Sequence, residues 1–334
     1  MGLSGLSGLS GLSGIVTSAE TYFFDNFNRA DNSGTSIPAS SGNPWYSPGA
    51  GTIGIATNQL YVTPTLGAEL LTNGDFSAWT DDDPDGWTVS GESGSDPELS
   101  EVGSGEAHGG AGTGAANFYA TATAFKPQIY QNVAEANEWY LASLVISNAT
   151  TGYLNAGAFG ANYTLNSDTI LTGMLSSAPK FWISSRLVAV NATLDSASLK
   201  KLTANTLFAL RAQFTPNAYA QAAITCTDYT QAGIAHYADA DNFVLAYLNG
   251  DNKVKLVKCV AGVYTEVASV NIAYGAGQIL KLSRVGTNYT VDYNGVNVIA
   301  ATAIADAVFS SATIWGTFNT YNANRFNDYT WAVN

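Results

Sequence analysis

From residue 117 to the end, apolar residues alternate with polar ones or gather in short continuous runs: "NFYATATAF", "QIYQNVA", "WYLASLVIS", "FWISSRLVAV". No window sustains the i, i+3, i+4, i+7 spacing of an amphipathic helix for three turns. In "NYTVDYNG", Tyr289, Val291 and Tyr293 fall on one face of a strand, with Thr290 and Asp292 on the other. Asn249-Gly250, Ala261-Gly262 and Asn294-Gly295 stand between such runs, where two-residue turns with positive φ join antiparallel strands. The last ninety residues therefore predict a ladder of hairpins, half of a sandwich, and the chain reads as all-β. Upstream, "NPWYSPGAGTIGIATNQLYVTPT" reads as short strands broken by Gly and Pro. From 68 to about 110 the text is acidic and Gly-rich, with only brief apolar pieces such as "GWTV".

Composition fits this reading. The 334 residues are 46% hydrophobic and only 12% charged, enough apolar material for two domains. The charge is uneven. No Lys or Arg stands between Arg29 and Lys126, whereas acids crowd that stretch, among them Asp31, Glu69, Asp75, Asp81, Asp82, Asp83, Asp85, Asp96, Glu98, Glu101 and Glu106. A surface of this sign, on a chain of net charge −13, repels phosphate backbones, so nucleic acid is excluded as a partner and divalent cations are the expected counter-charge. No run of about 20 apolar residues offers a membrane span. The N-terminus lacks the basic and apolar segments of a signal peptide. Cys226 and Cys259, each inside a strand-like run, read as buried free thiols, with a single bridge as the alternative.

Two stretches carry family resemblances. Asp25, Phe27, Arg29 and Asp31, followed by Trp45, Asn58 and Leu60, resemble the opening of concanavalin-like (laminin-G-like) jelly rolls of phage and bacterial surface proteins. The C-terminal ladder, closing with "NRFNDYTWAV", resembles the second half of that fold. Between them, Leu71, Asn73, Gly74, Phe76 and Trp87 resemble the start of family 4/9-type carbohydrate-binding modules, and "ATLDSASLKKL" (192–202) resembles their last strand. The resemblances imply two antiparallel jelly-roll β-sandwiches, one inserted in the other. The outer one spans about 20–64 and 204–334, the inner about 66–203, and 1–19 forms an extended tail. Adjacent termini let a sandwich be inserted in a host loop with little strain.

Catalysis is not expected. His108 and His236 are the only histidines, and no metalloprotease, serine-hydrolase or Cys-x-x-Cys pattern occurs. The Glu-x-Asp-x-x-Glu strand of concanavalin-like glycoside hydrolases is missing, and the outer segments hold only Glu20 and Glu266 as glutamates. Structural Ca²⁺ is the one cofactor suggested. "DDDPDG" places Asp81, Asp82, Asp83 and Asp85 in one turn, and the module resemblance adds Glu69 and Asp75; a solvated acidic turn is the alternative. Asp239 and Asp241 in "DADN" are a weaker candidate. Sugar binding, usual in both families, needs aromatic faces with amides or carboxylates nearby. Trp79, Trp87, Tyr119, Trp139, Tyr153 and Trp182 are the candidates, with core or edge packing as the competing use of each.

The chain opens "MGLSGLSGLSGLSG". Gly2, Gly5, Gly8, Gly11 and Gly14 stand at every third position, as a polyproline-II bundle requires, with Leu3, Leu6, Leu9 and Leu12 between them. A flexible linker has no use for Leu at a fixed period. Without proline, and reaching only about 40 Å, the run would need trimerised domains or a docking surface to hold it. It reads as an assembly or attachment element, with a disordered leader as the alternative.

The expected function is thus a non-enzymatic phage or related virion surface protein, a head decoration protein or fibre. It would be a homotrimer held to a capsid or tail protein by its repeat, displaying jelly rolls that bind cell-surface glycans or cover the particle. A cellular adhesin or extracellular carbohydrate-binding protein is one alternative, and a polymerising filament subunit another.

Overall fold

The computed structural model describes residues 22–334 apart from 50, 122–126, 158–164, 176–179, 186–188, 214 and 251. The Gly-Leu-Ser repeat and its assembly residues lie outside the described residues. The fold is all-β, built from antiparallel sheets.

Two large sheets are made from the ends of the chain. Tyr22–Asp25, Asn32–Gly34, Thr52–Ala56, Gln59–Thr63, Ala218–Thr225, Gln278–Val285, Asn288–Tyr293, Val296–Ala303 and Arg325–Val333 form a nine-stranded sheet. Ser36–Ile37, Trp45–Tyr46, Phe208–Ala212, Gln231–Asp239, Asn242–Asn249, Lys253–Val260, Val263–Asn271 and Ile314–Asn319 form an eight-stranded one. One core, containing Phe23, Trp45, Leu60, Ile234, Leu282, Tyr289, Trp315 and Trp331, draws on both. The alternation read in the sequence is seen here: Tyr289, Val291 and Tyr293 are buried, while Thr290 and Asp292 are partly exposed. Ala261-Gly262 and Asn294-Gly295 are two-residue turns, all four residues at positive φ between the pairs Val260↔Val263 and Tyr293↔Val296. Asn249-Gly250 differs. Its strands resume at Asn249↔Lys253, so three residues intervene, and the glycine is set by crowding: a Cβ on Gly250 would lie 2.1 Å from Tyr229 N. Cys226 and Cys259 are buried and free, and burial pushes each thiol up to about 12.

The Asp-x-Phe-x-Arg element is a buried knot. The Asp25 carboxylate, fully buried, accepts the Phe27 N–H at 2.9 Å, both Arg29 terminal nitrogens at 2.6 and 3.0 Å, and Trp45 Nε1 at 3.0 Å. Phe27 takes φ +56°, which turns its ring into the core beside Trp45.

The strands between Leu66 and Leu202 form separate sheets. The six-stranded one comprises Leu66–Glu69, Glu98–Gly103, Gly114–Ala120, Glu138–Thr151, Thr169–Leu175 and Val190–Leu202. The four-stranded one comprises Thr88–Ser90, Gln128–Asn132, Leu154–Gly157 and Lys180–Ser185. Phe76, Leu99, Phe118, Ile129, Leu171, Phe181, Ile183 and Leu199 share their core. Glu98–Gly103 lies in the stretch read as acidic and loop-like; Leu99 carries it, packing into that core opposite Phe118. The Leu-x-Asn-Gly-x-Phe element is another local clamp. Asn73 Nδ2 donates to Ala78 O and Asp85 O, Asn73 Oδ1 accepts Ala78 N, and a Cβ on Gly74 would meet Ala197 O at 2.2 Å.

The two sets of sheets meet along a seam. Leu66 pairs with Leu202 and Glu69 with Lys200, so the segment leaves and re-enters at one place. Thr65 N donates to Thr206 Oγ1 at 2.9 Å and Thr203 N to Thr65 O at 3.0 Å. Trp139 packs on Tyr247, Tyr264 and Phe318, with ring centroids 6.1, 6.0 and 5.1 Å away. Beside it, Thr172 Oγ1 donates to Gln231 Oε1 at 2.8 Å, and Gln231 Nε2 donates to Thr172 O at 2.7 Å.

Candidate functional site

The four-stranded sheet has one face in the core, through Val89, Ile129, Ile183 and Ala156. Strand alternation sends the next residues to the opposite face. Register then places Thr88, Tyr130, Trp182 and Gly157 in one row across it, and Ser90, Gln128, Ser184 and Asn155 in the row beside it. Asn132 and Lys180 make a third pair.

Gly157 determines how Trp182 lies. A Cβ on Gly157 would stand 1.5 Å from Trp182 Cε2 and 1.7 Å from Cζ2, so the indole occupies the space over the neighbouring strand, against the sheet. Tyr130 and Trp182 are both partly exposed, neighbours on the same face. Lys180 Nζ sits 3.6 Å from the Tyr130 ring centroid and donates to Gln128 Oε1 at 3.1 Å. Asn155, 1% exposed, has neither Oδ1 nor Nδ2 hydrogen-bonded. A buried amide left unanswered costs about 1–3 kcal/mol. Ring faces beside an amide, a hydroxyl and an ammonium are the surface that a pyranose asks for: apolar C–H patches stack, and hydroxyls find donors and acceptors.

Of the six aromatic residues singled out from the sequence, Trp182 alone lies on this face. Trp87 is a correction: 7% exposed, it is stacked on Phe76, and its Nε1 donates to Asn73 O. Trp139 is another, 1% exposed and used at the seam. Tyr119 has one face taken by His108, the rings 3.8 Å apart and 6° from parallel. Trp79 is partly buried in a short hairpin with its Nε1 on Phe76 O at 2.8 Å, and Tyr153 is partly buried just before Leu154–Gly157. Tyr130, Lys180, Gln128 and Asn155 were not singled out. The signal for Tyr130 was present: "QIYQN" alternates Gln128, Tyr130 and Asn132 against Ile129.

The acidic candidates do not gather. Glu69 Oε1 accepts the N–H groups of Leu70, Leu71 and Leu199 at 3.1, 3.1 and 2.8 Å, and Oε2 accepts Ser198 Oγ. Burial opposes the Glu69 carboxylate, but these hydrogen bonds outweigh it and hold its pKa below the ordinary value. Asp75 accepts from Ser77, and Asp85 from Thr80. Asp83 is pushed up by burial and then by the charges of Asp82 and Asp81. Asp239 Oδ1 accepts Asp241 N and Asn242 Nδ2, a turn device at a hairpin end. Among the described residues, no three His, Cys, Asp or Glu side chains are grouped to hold a metal ion.

His236 is buried in the larger sandwich. The Ala312 carbonyl can only accept, so Nε2 carries the proton at 2.9 Å and Nδ1 accepts the Tyr289 hydroxyl at 2.8 Å. Burial chiefly, and then the Arg284 charge, lower its pKa to about 4. It is a core histidine.

No family profile and no curated protein sequence matches the chain. Solved structures with partial likeness include the carbohydrate-binding module CBM66 from Bacillus subtilis, at 17% identity and TM-score 0.30, covering 37% of this chain and 79% of that one. The Caenorhabditis elegans galectin LEC-6 is similar at 11% identity and TM-score 0.30, over 36% of this chain and 88% of its own. A GH43 protein of Bacillus licheniformis, BlXynB, aligns over 90% of this chain and 74% of that one, at 11% identity and TM-score 0.30.

Proposed function

We propose that this chain is a non-enzymatic glycan-binding protein, and that the free face of the four-stranded sheet is where the glycan sits. The observation that carries the reading is the partly exposed Trp182 indole laid over Gly157, beside Tyr130 and Lys180. The described groups on this face are rings, amides, hydroxyls and one ammonium. They bind and orient, and the paired carboxylates that glycoside cleavage calls for are not among them. A glycan array probed with the intact chain and with Trp182→Ala tests this. Specific glycans retained by the first and lost by the second are expected; an identical profile for both contradicts the reading.

The wider role we propose is display on a phage or related virion surface, as a head decoration protein or fibre. The Gly-Leu-Ser repeat supports it, because Leu at a fixed three-residue period gains only by burial against other copies or a particle. Light scattering of the full chain beside one lacking residues 1–14 tests the assembly role. A trimer that becomes a monomer on truncation is expected. Two monomers would rule out self-trimerisation through the repeat.

A further inference from the structure

We infer that the sugar taken by this face is acidic, its carboxylate met by Lys180. The inference rests on the glycan-binding reading above and narrows it to a chemical class.

Lys180 differs from most of the described lysines in facing no carboxylate. Lys201 faces Glu135 and Glu138, Lys255 faces Glu266, Lys258 faces Asp306 and Lys281 faces Asp292. Lys180 has only the neutral oxygen of Gln128 and the face of Tyr130. On a chain of net charge −13, an ammonium with no carboxylate beside it stands within the row of groups that would contact a ligand. Every residue paired across this face from Thr88 to Gly157 is uncharged apart from Lys180. The Gln128 hydrogen bond and the Tyr130 ring hold the ammonium in place and leave one of its three N–H donors for a ligand. An anion there is flanked on one side by the partly exposed Trp182 indole, which stacks the ring bearing it. A sugar with a ring-borne carboxylate satisfies the indole and the ammonium at once, whereas a neutral sugar leaves the ammonium unmatched.

The test is calorimetric titration of the full chain with oligogalacturonate, oligoglucuronate and oligomannuronate, each beside its carboxyl-reduced counterpart, and with a sulfated galactan. Wild type, Lys180→Gln and Trp182→Ala are compared, with circular dichroism as the folding check. One uronate is expected to bind. Its reduced form and the Lys180→Gln protein should each be weaker by about five- to tenfold, and that gap should close near about 0.5 M salt, where screening is strong. Trp182→Ala should abolish binding of both forms. If wild type binds the reduced sugar as tightly as the uronate, Lys180→Gln binds the uronate like wild type, and Trp182→Ala loses both, the glycan reading stands and the acidic class is overturned. If only the sulfated galactan binds, the carboxylate assignment is overturned in favour of a sulfate ester. If nothing binds, or Trp182→Ala binds like wild type, both readings fall.

Discussion

Trp45 Nε1 donates to Asp25 Oδ2 at 3.0 Å, tying the first strand of the nine-stranded sheet to a two-residue strand of the eight-stranded one. The same carboxylate holds Arg29 and the Phe27 N–H, so one buried anion fixes the chain's entry into the large sandwich. Asp25→Ala should strand the Arg29 guanidinium and the indole N–H together. The expected loss is about 3–5 kcal/mol in urea unfolding, the scale for breaking a buried ion pair by removing one partner. A loss below about 1 kcal/mol, that of an exposed pair, would contradict the knot.

Trp139 belongs to the six-stranded sheet but spends its ring on Tyr247, Tyr264 and Phe318 of the larger sandwich. Trp139→Ala should therefore cost about 3–5 kcal/mol through the cavity it opens. Limited proteolysis should become faster near Thr65 and Thr203, where the two sets of sheets join. A variant with normal stability and lost glycan binding would instead make Trp139 a ligand residue.

Gly157→Ala separates function from stability. Its Cβ falls inside the ring of the partly exposed Trp182, so the indole must swing outward to make room. Glycan affinity should drop about tenfold, the scale of about 1.4 kcal/mol for one misplaced stacking group, while Tm moves by only a few degrees. Unchanged affinity would mean that the indole's position over Gly157 does not matter to the ligand.

The lowered pKa of His236 fixes the sign of one pH effect. Between its ordinary value of 6.5 and about 4, the unfolded chain binds a proton that the folded chain refuses. Stability should therefore fall as pH drops through that window, by about 3 kcal/mol from this group. His236→Gln, which keeps a donor and an acceptor for Ala312 and Tyr289, should flatten the slope between pH 7 and 4. A slope identical to wild type would show that His236 titrates normally.

The all-β character was legible because Tyr289, Val291 and Tyr293 keep strict alternation and Asn294-Gly295 and Ala261-Gly262 admit two-residue turns. The two family-like elements were legible for the same reason that they fold: Asp25 and Asn73 are each hydrogen-bonded within about a dozen residues, Trp45 and Ser40 aside. The site was less legible. Trp182 and Trp139 both sit in strand-like runs, and sequence cannot say which ring meets solvent and which meets a neighbouring sheet. Pairing between Leu154–Gly157 and Lys180–Ser185 sets the indole over Gly157, and that register is a long-range property. Asp81, Asp82, Asp83 and Asp85 drew attention by their density, but density in a turn does not make carboxylates converge. Glu69, the best-buttressed of the acids, is consumed by the N–H groups of its own sheet.

The central claim is that the Trp182–Tyr130 face is the glycan surface, and tryptophan fluorescence titration tests it most directly. A glycan selected on the array should shift the emission of the wild-type chain saturably. Trp182→Phe should keep measurable affinity with most of that signal gone, and Trp182→Ala should lose the affinity itself. A shift of full size in Trp182→Ala would place the glycan elsewhere on the molecule and contradict the account.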